Sequence, residues 1–175
     1  MWRADRGGLL VDRADEDFDA FYAATSRALL IQVYGLTGDW AEANDCLQEA
    51  YARAWQRWST VRDHESPAAW VRVVAFRLAR SRWRRAQRGL ALLRRERLPE
   101  PTQGPSPDSV AIATALRILP ESQRRALVLY HLADLPVRDV AREMGVPEGT
   151  VKASLSRART ALAELLRDGW ENSNA

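Results

Sequence analysis

Pro99, Pro101, Gly104, Pro105 and Pro107 fall within one short stretch. Proline lacks the backbone N–H that a helix or a central strand needs, so no regular element continues through such a stretch. It divides the 175 residues into a longer N-terminal part and a shorter C-terminal part. A chain of this length buries one moderate core or two small ones. On both sides of the break apolar residues recur at helical intervals, and no run alternates long enough to argue for a sheet. The expected fold is all-α: two small helical modules, residues 15–88 and 108–168, joined by a linker at 89–107.

In the first module the spacing of Phe18, Phe21, Tyr22, Leu29, Val33 and Leu36 predicts a helix from about Asp15 to Thr37, stopped by Gly38-Asp39. A second helix, about Trp40 to Ser59, carries Ala43, Leu47, Ala50, Tyr51, Ala54 and Trp58 on the stripe that faces the core. Asp45, Gln48, Glu49, Ala52 and Gln56 form its opposite face. Ser66 and Pro67 suit the cap and first position of a third helix running to about Arg88. Beyond the linker, shorter helices are predicted over Asp108–Leu119, Glu121–Ala133, Val137–Met144 and Glu148–Arg167. Pro120, Pro136 and Gly145-Val146-Pro147 make the joints.

Charge is distributed unevenly. Residues 1–70 hold 7 basic and 12 acidic side chains, residues 71–97 hold 10 and 1, and residues 98–175 hold 9 and 10. The dense basic block in the middle suits a polyanion such as nucleic acid, although a solvated helix face would carry the same charge. The longest apolar stretch, Ala28 to Val33, already contains Gln32, and the N-terminus is acidic. No membrane span or secretory leader is read here, and a cytoplasmic location is expected. Cys46 stands alone, so there is no internal disulfide, and with His64 and His131 it forms no metal-ligand spacing. Cys46 reads as a buried structural thiol, and no cofactor or metal is expected.

Ala141, Gly145 and Val151 have the spacing of a helix-turn-helix: a small packing residue, a turn glycine and a β-branched core residue. Val140, Met144 and Val146 fill the remaining core positions. At about 100° per residue the second helix turns Val151, Leu155, Ala158 and Leu162 inward. Gly149, Ala153, Ser156 and Thr160 then face away, flanked by Thr150, Lys152 and Arg157. Small residues on the crest let a helix approach base edges in a major groove, while flanking cations reach phosphates or guanine.

On the third helix Arg77, Arg80, Arg84 and Arg88 line one side near Trp70 and Val73, with Phe76 and Trp83 on an adjacent stripe. Cations beside aromatic faces suit unpaired nucleic acid, whose phosphates take charge and whose bases stack. Taken singly, each of the two aromatics is more readily a core residue packed against neighbouring helices. The Asp45, Gln48 and Glu49 face suits protein better than nucleic acid, and a solvated acidic face would look the same.

The run from Asp45 through Gln48-Glu49-Ala50-Tyr51 to Ala54-Trp55 resembles the polymerase-binding segment of bacterial sigma factors. With Leu36-Thr37-Gly38-Asp39 before it and Ala69-Trp70-Val71 after it, the first half resembles region two of the extracytoplasmic-function group. Leu119-Pro120-Glu121-Ser122-Gln123-Arg124-Arg125, Gly149-Thr150-Val151-Lys152 and Arg157-Ala158-Arg159 resemble region four of the same group. The resemblance implies that Asp45, Gln48, Glu49, Ala52 and Gln56 meet the clamp of the polymerase large subunit, whose flap is a further contact. It implies that Trp70, Val73, Arg77, Arg80, Trp83 and Arg84 serve the melted minus-10 element. Gly149, Thr150, Lys152, Ala153, Ser156 and Arg157 would read the duplex minus-35 element. An anti-sigma protein is implied as regulator, by resemblance only. The chain departs from the group's usual residues at Ala153-Ser154 and Phe76-Arg77, both in promoter-reading helices, so a relative's promoter sequence does not transfer.

Two other function classes compete with this reading. An autonomous helix-turn-helix regulator would account for the C-terminal half but leave the first module without a role. A nucleic-acid enzyme would call for converging carboxylates with a metal, or a nucleophile beside a histidine, and neither His64 nor His131 sits in such a motif.

Overall fold

The computed structural model describes residues 6–87 and 104–173, with side chains described for 15–85 and 104–165. Most of the predicted linker, and Arg88, lie outside the described residues. Among the described residues there are helices and turns but no strand.

Helix α1 (Arg6–Thr37) begins earlier than its apolar spacing implied and ends where Gly38 adopts φ +69. Asp39 caps α2 (Trp40–Gln56) by accepting from Glu42 N at 2.8 Å. The predicted second helix is interrupted: Arg57, at φ −124 and ψ 23, breaks it and starts the single turn α3 (Trp58–Val61). The break turns Trp58 into an aromatic cluster rather than along the stripe of α2. Phe18 and Phe21 stand 5.2 and 5.1 Å from its ring, and Tyr22 packs on Tyr51 at 4.7 Å. Thr25 Oγ1 reaches the Tyr51 hydroxyl at 2.7 Å, and burial pushes that phenol up to about 12. Ser66 Oγ accepts from Ala69 N at 3.2 Å at the start of α4 (Pro67–Gln87), the cap expected of Ser66-Pro67. Helices α1, α2 and α4 pack on one another.

Ser106 and Pro107 open α5 (Pro107–Arg117), with Ser106 Oγ accepting from Ser109 N at 3.2 Å. After Pro120, α6 (Glu121–Leu127) runs into a π-helical turn, Val128–Leu132, where a continuous α-helix was expected. The turn inserts one residue per repeat, so Ala133 N donates to Val128 O at 3.0 Å. Helix α7 (Val137–Met144) and α8 (Glu148–Ser173) complete the chain.

The two modules share one continuous core that includes Leu29, Val33 and Leu36 of α1 together with Leu116, Val128 and Leu129 of the second module. Gly35 explains how closely they approach. Glycine inside a helix costs roughly 1 kcal/mol relative to alanine, yet a Cβ here would stand 3.0 Å from Leu132 Cδ1 and 3.3 Å from Val128 Cγ2. The missing side chain lets the π-turn seat against α1.

Candidate nucleic-acid interface

The helix-turn-helix is formed as its spacing implied. Gly145 ends α7 in the left-handed region, φ 70 and ψ 36, and Val146 N returns to Ala141 O at 3.1 Å. Val140, Ala141 and Val151 are buried, as are Leu155 and Ala158, and Leu162 is half-buried. Gly149, Thr150, Lys152, Ala153, Ser156 and Arg157 are all exposed. Arg157 Nε donates to Ala153 O at 3.2 Å, and the Arg159 guanidinium sits 5.6 Å from the centre of the Tyr130 ring. A small-residue crest with cations at its edges is therefore open to a groove.

On α4 the structure separates the two aromatics that spacing left equivalent. Phe76 is buried at 3% exposure, whereas Trp83 is 45% exposed. Arg77, Arg80 and Arg84 are exposed, and Trp70 and Val73 are half-buried. Trp83 and these arginines thus form a cationic and aromatic surface, while Phe76 belongs to the core. Arg80 Nε lies 3.3 Å from Glu121 of the second module.

The outer face of α2 holds Gln48, Ala52 and Gln56 exposed, with Asp45 and Glu49 half-buried. It is less purely acidic than its sequence suggests. Glu49 is gripped by Arg53 at 2.6 Å and by Arg82 of α4 at 2.8 Å, and Arg82 also donates to Cys46 Sγ at 3.0 Å. Gln48 Nε2 donates to the Tyr22 hydroxyl at 3.0 Å. Cys46 itself is buried. Sequence reasoning did not single out Trp55 as a contact residue, although it flanks this face and is 44% exposed. Its helical angle beside Gln48 was the available signal. Arg82 left no such signal, because its partners lie on another helix.

His64 and His131 are exposed. Among the described residues no group of His, Cys, Asp and Glu could hold a metal ion, and no helix is long and apolar enough to cross a membrane.

Residues 21–89 match the family described as Sigma-70 region 2, and residues 109–162 match Sigma-70, region 4. The chain is 32% identical over 154 residues to the RNA polymerase sigma-E factor of Streptomyces coelicolor, covering 86% of each protein. It is 31% identical over 157 residues to the ECF RNA polymerase sigma factor SigL of Mycobacterium tuberculosis, covering 85% of this chain and 88% of that one. Among solved structures it is similar to the sigma factor RpoE of Bartonella quintana, in complex with the anti-sigma factor NepR. That likeness has a TM-score of 0.66 at 26% identity, covering 87% of this chain and 98% of the other.

Proposed function

The chain belongs to the extracytoplasmic-function group of sigma-70-type RNA polymerase sigma factors, and from that membership we propose how its surfaces divide the work. As a sigma factor it binds core RNA polymerase, directs it to specific promoters and helps open the DNA there. Sigma factors are initiation factors without enzymatic activity of their own.

Residues 15–88 form the core-binding and melting module, 89–107 the tether, and 108–168 the duplex-reading module. The outer face of α2, with Asp45, Gln48, Glu49, Ala52 and Gln56, docks on the large-subunit clamp, and Trp55 adds an apolar anchor at its edge. Trp70, Val73, Arg77, Arg80, Trp83 and Arg84 hold the unpaired minus-10 strand. Gly149, Thr150, Lys152, Ala153, Ser156 and Arg157 read the minus-35 duplex, and the second module also meets the polymerase flap. The observation that carries this reading is the sorting of α8, whose crest and cations are exposed while Val151, Leu155 and Ala158 are buried. Two weak readers on one scaffold raise each other's effective concentration, so neither needs to grip DNA tightly alone. The protein works in the cytoplasm, where polymerase is. A regulator of the anti-sigma class is proposed by analogy with the Bartonella complex.

The test is transcription in vitro, with the chain and bacterial core polymerase on genomic fragments and core alone as control. Transcripts that start at discrete sites only when the chain is present are the expected result. A chain that ignores core yet shifts particular duplexes by itself would instead be an autonomous regulator. On a promoter so identified, Lys152→Ala is expected to weaken holoenzyme binding across sequences and to lower the salt dependence by about one ion. Arg157→Ala is expected to cost about 1–3 kcal/mol if it reaches a base, with relaxed preference at one minus-35 position. A salt titration of binding to matched and mismatched fragments separates the two.

A further inference from the structure

A cavity of about 560 Å³ opens where the two modules meet. That volume falls within the range of about 300–1,000 Å³ that small-molecule sites occupy. Leu36 of α1 and Leu119 and Pro120 of the α5–α6 joint give it apolar walls, and Trp83 of α4, which also lines it, is 45% exposed. The walls are fixed relative to one another by a buried ion pair, Arg72 of α4 with Glu143 of α7 at 2.8 Å, their side chains 7% and 9% exposed.

Arginines reach the cavity from three helices: Arg80 of α4, Arg117 of α5 and Arg124 of α6. Arg80 is engaged with Glu121, Nε to Oε1 at 3.3 Å. Among the described residues neither Arg117 nor Arg124 is in an ion pair. Arg124 Nε is buried without a hydrogen-bond partner, a state that folded proteins leave to few donors. Burial pushes the Arg124 guanidinium below its ordinary value; Glu121 opposes that shift and Arg117 adds to it. Arg117 is built into place as well. A Cβ at Gly38 would fall on its Cγ and Cδ, so its stem crosses the α1–α2 turn through space the glycine leaves open.

We propose that this cavity binds a small aromatic anion of the nucleoside-phosphate class, with its phosphate between Arg117 and Arg124 and its ring on Trp83. Guanidinium forks match phosphate oxygens two at a time, and a phosphate here accepts from the orphaned Arg124 Nε. The indole face takes a base by stacking. Glu42 and Glu121 also line the cavity, so three cations stand against two carboxylates. One excess charge holds an anion weakly, and the ring contact must supply the rest. Arg80 and Trp83 also belong to the set assigned to the unpaired strand, so an occupied cavity withdraws them from it. That consequence, unlike the site itself, rests on the reading of α4.

Calorimetric titration of the full chain with ADP, adenosine and inorganic pyrophosphate tests the site. ADP is expected to bind about tenfold or more tighter than either adenosine or pyrophosphate, because it alone makes both contacts. Trp83→Ala, Arg117→Ala and Arg124→Gln are each expected to weaken ADP binding about tenfold. Arg138→Ala, which removes an exposed cation from α7, is expected to leave it unchanged. Trp83 and Arg117 are exposed, so their variants decide the matter even where Arg124→Gln does not fold. No binding of ADP would overturn the proposal. So would pyrophosphate binding as tightly as ADP, or Arg138→Ala weakening ADP as much as Arg117→Ala, since either reduces the site to general charge. A labelled oligo-dT strand on the same chain is expected to be displaced by ADP. Binding of ADP that leaves the strand in place would uphold the site and instead remove Arg80 and Trp83 from the strand-holding set.

Discussion

An arginine at Ala52 is expected to abolish binding to core polymerase while leaving the chain folded. Ala52 is exposed on α2, and arginine is nearly as good a helix former as alanine, so the free protein has little reason to respond. A docked face responds strongly, because a long cation must be either desolvated or wedged between the surfaces. Asp45→Arg acts on the same face by reversing a charge. Disrupting a buried charged contact of this kind costs about 2–5 kcal/mol, which is a loss of about thirtyfold to a few thousandfold in Kd. Binding measured by biosensor, with thermal unfolding of the same samples, checks both halves of the expectation. Normal affinity in both variants would remove the polymerase from this face. Glu49 is a poorer probe. Its carboxylate holds Arg53 and the largely buried Arg82, so a lysine there would set three cations together and disturb the α2–α4 contact as well as any partner.

Leu129→Ala is expected to lower stability by about 2–5 kcal/mol, the range for emptying a well-packed leucine site. Leu129 is wholly buried in the π-turn, within the core the modules share. Against a total stability of roughly 5–15 kcal/mol, that loss is a large fraction. Urea unfolding followed by tryptophan fluorescence and by circular dichroism should show the midpoint falling by the same amount in both signals. Ile118→Ala is the control: at 53% exposure its loss is expected to stay within about 0.5 kcal/mol. Equal effects from the two substitutions would mean that the π-turn is not part of the core.

The sequence carried one further signal of the shared core that periodicity alone did not exploit. Leu29, Leu30, Ile31, Val33, Tyr34 and Leu36 leave the C-terminal half of α1 apolar nearly all round, and a helix of that kind is covered on more than one side. Gly35 within it marked the close approach. Neither names the covering partner. That the second module supplies it, through Leu132 and Val128, depends on residues almost a hundred positions away.

By itself the sequence determined the all-helical class, the helix-turn-helix and the faces of α2 and α8. Each follows from groups within a few turns of one another: capping residues, prolines, a left-handed glycine and a repeat of three to four residues. Only the tertiary structure decided that Phe76 turns into the core while Trp83 stays out, since the two share one stripe and neighbouring helices, not local spacing, set how far along it the cover extends. The grip of Arg82 on Glu49 and the meeting of Arg72 with Glu143 were settled at the same level. Charge along a chain shows where counter-charges are needed, but which ones meet is fixed by helix packing, and there the desolvation of a buried pair makes the choice count.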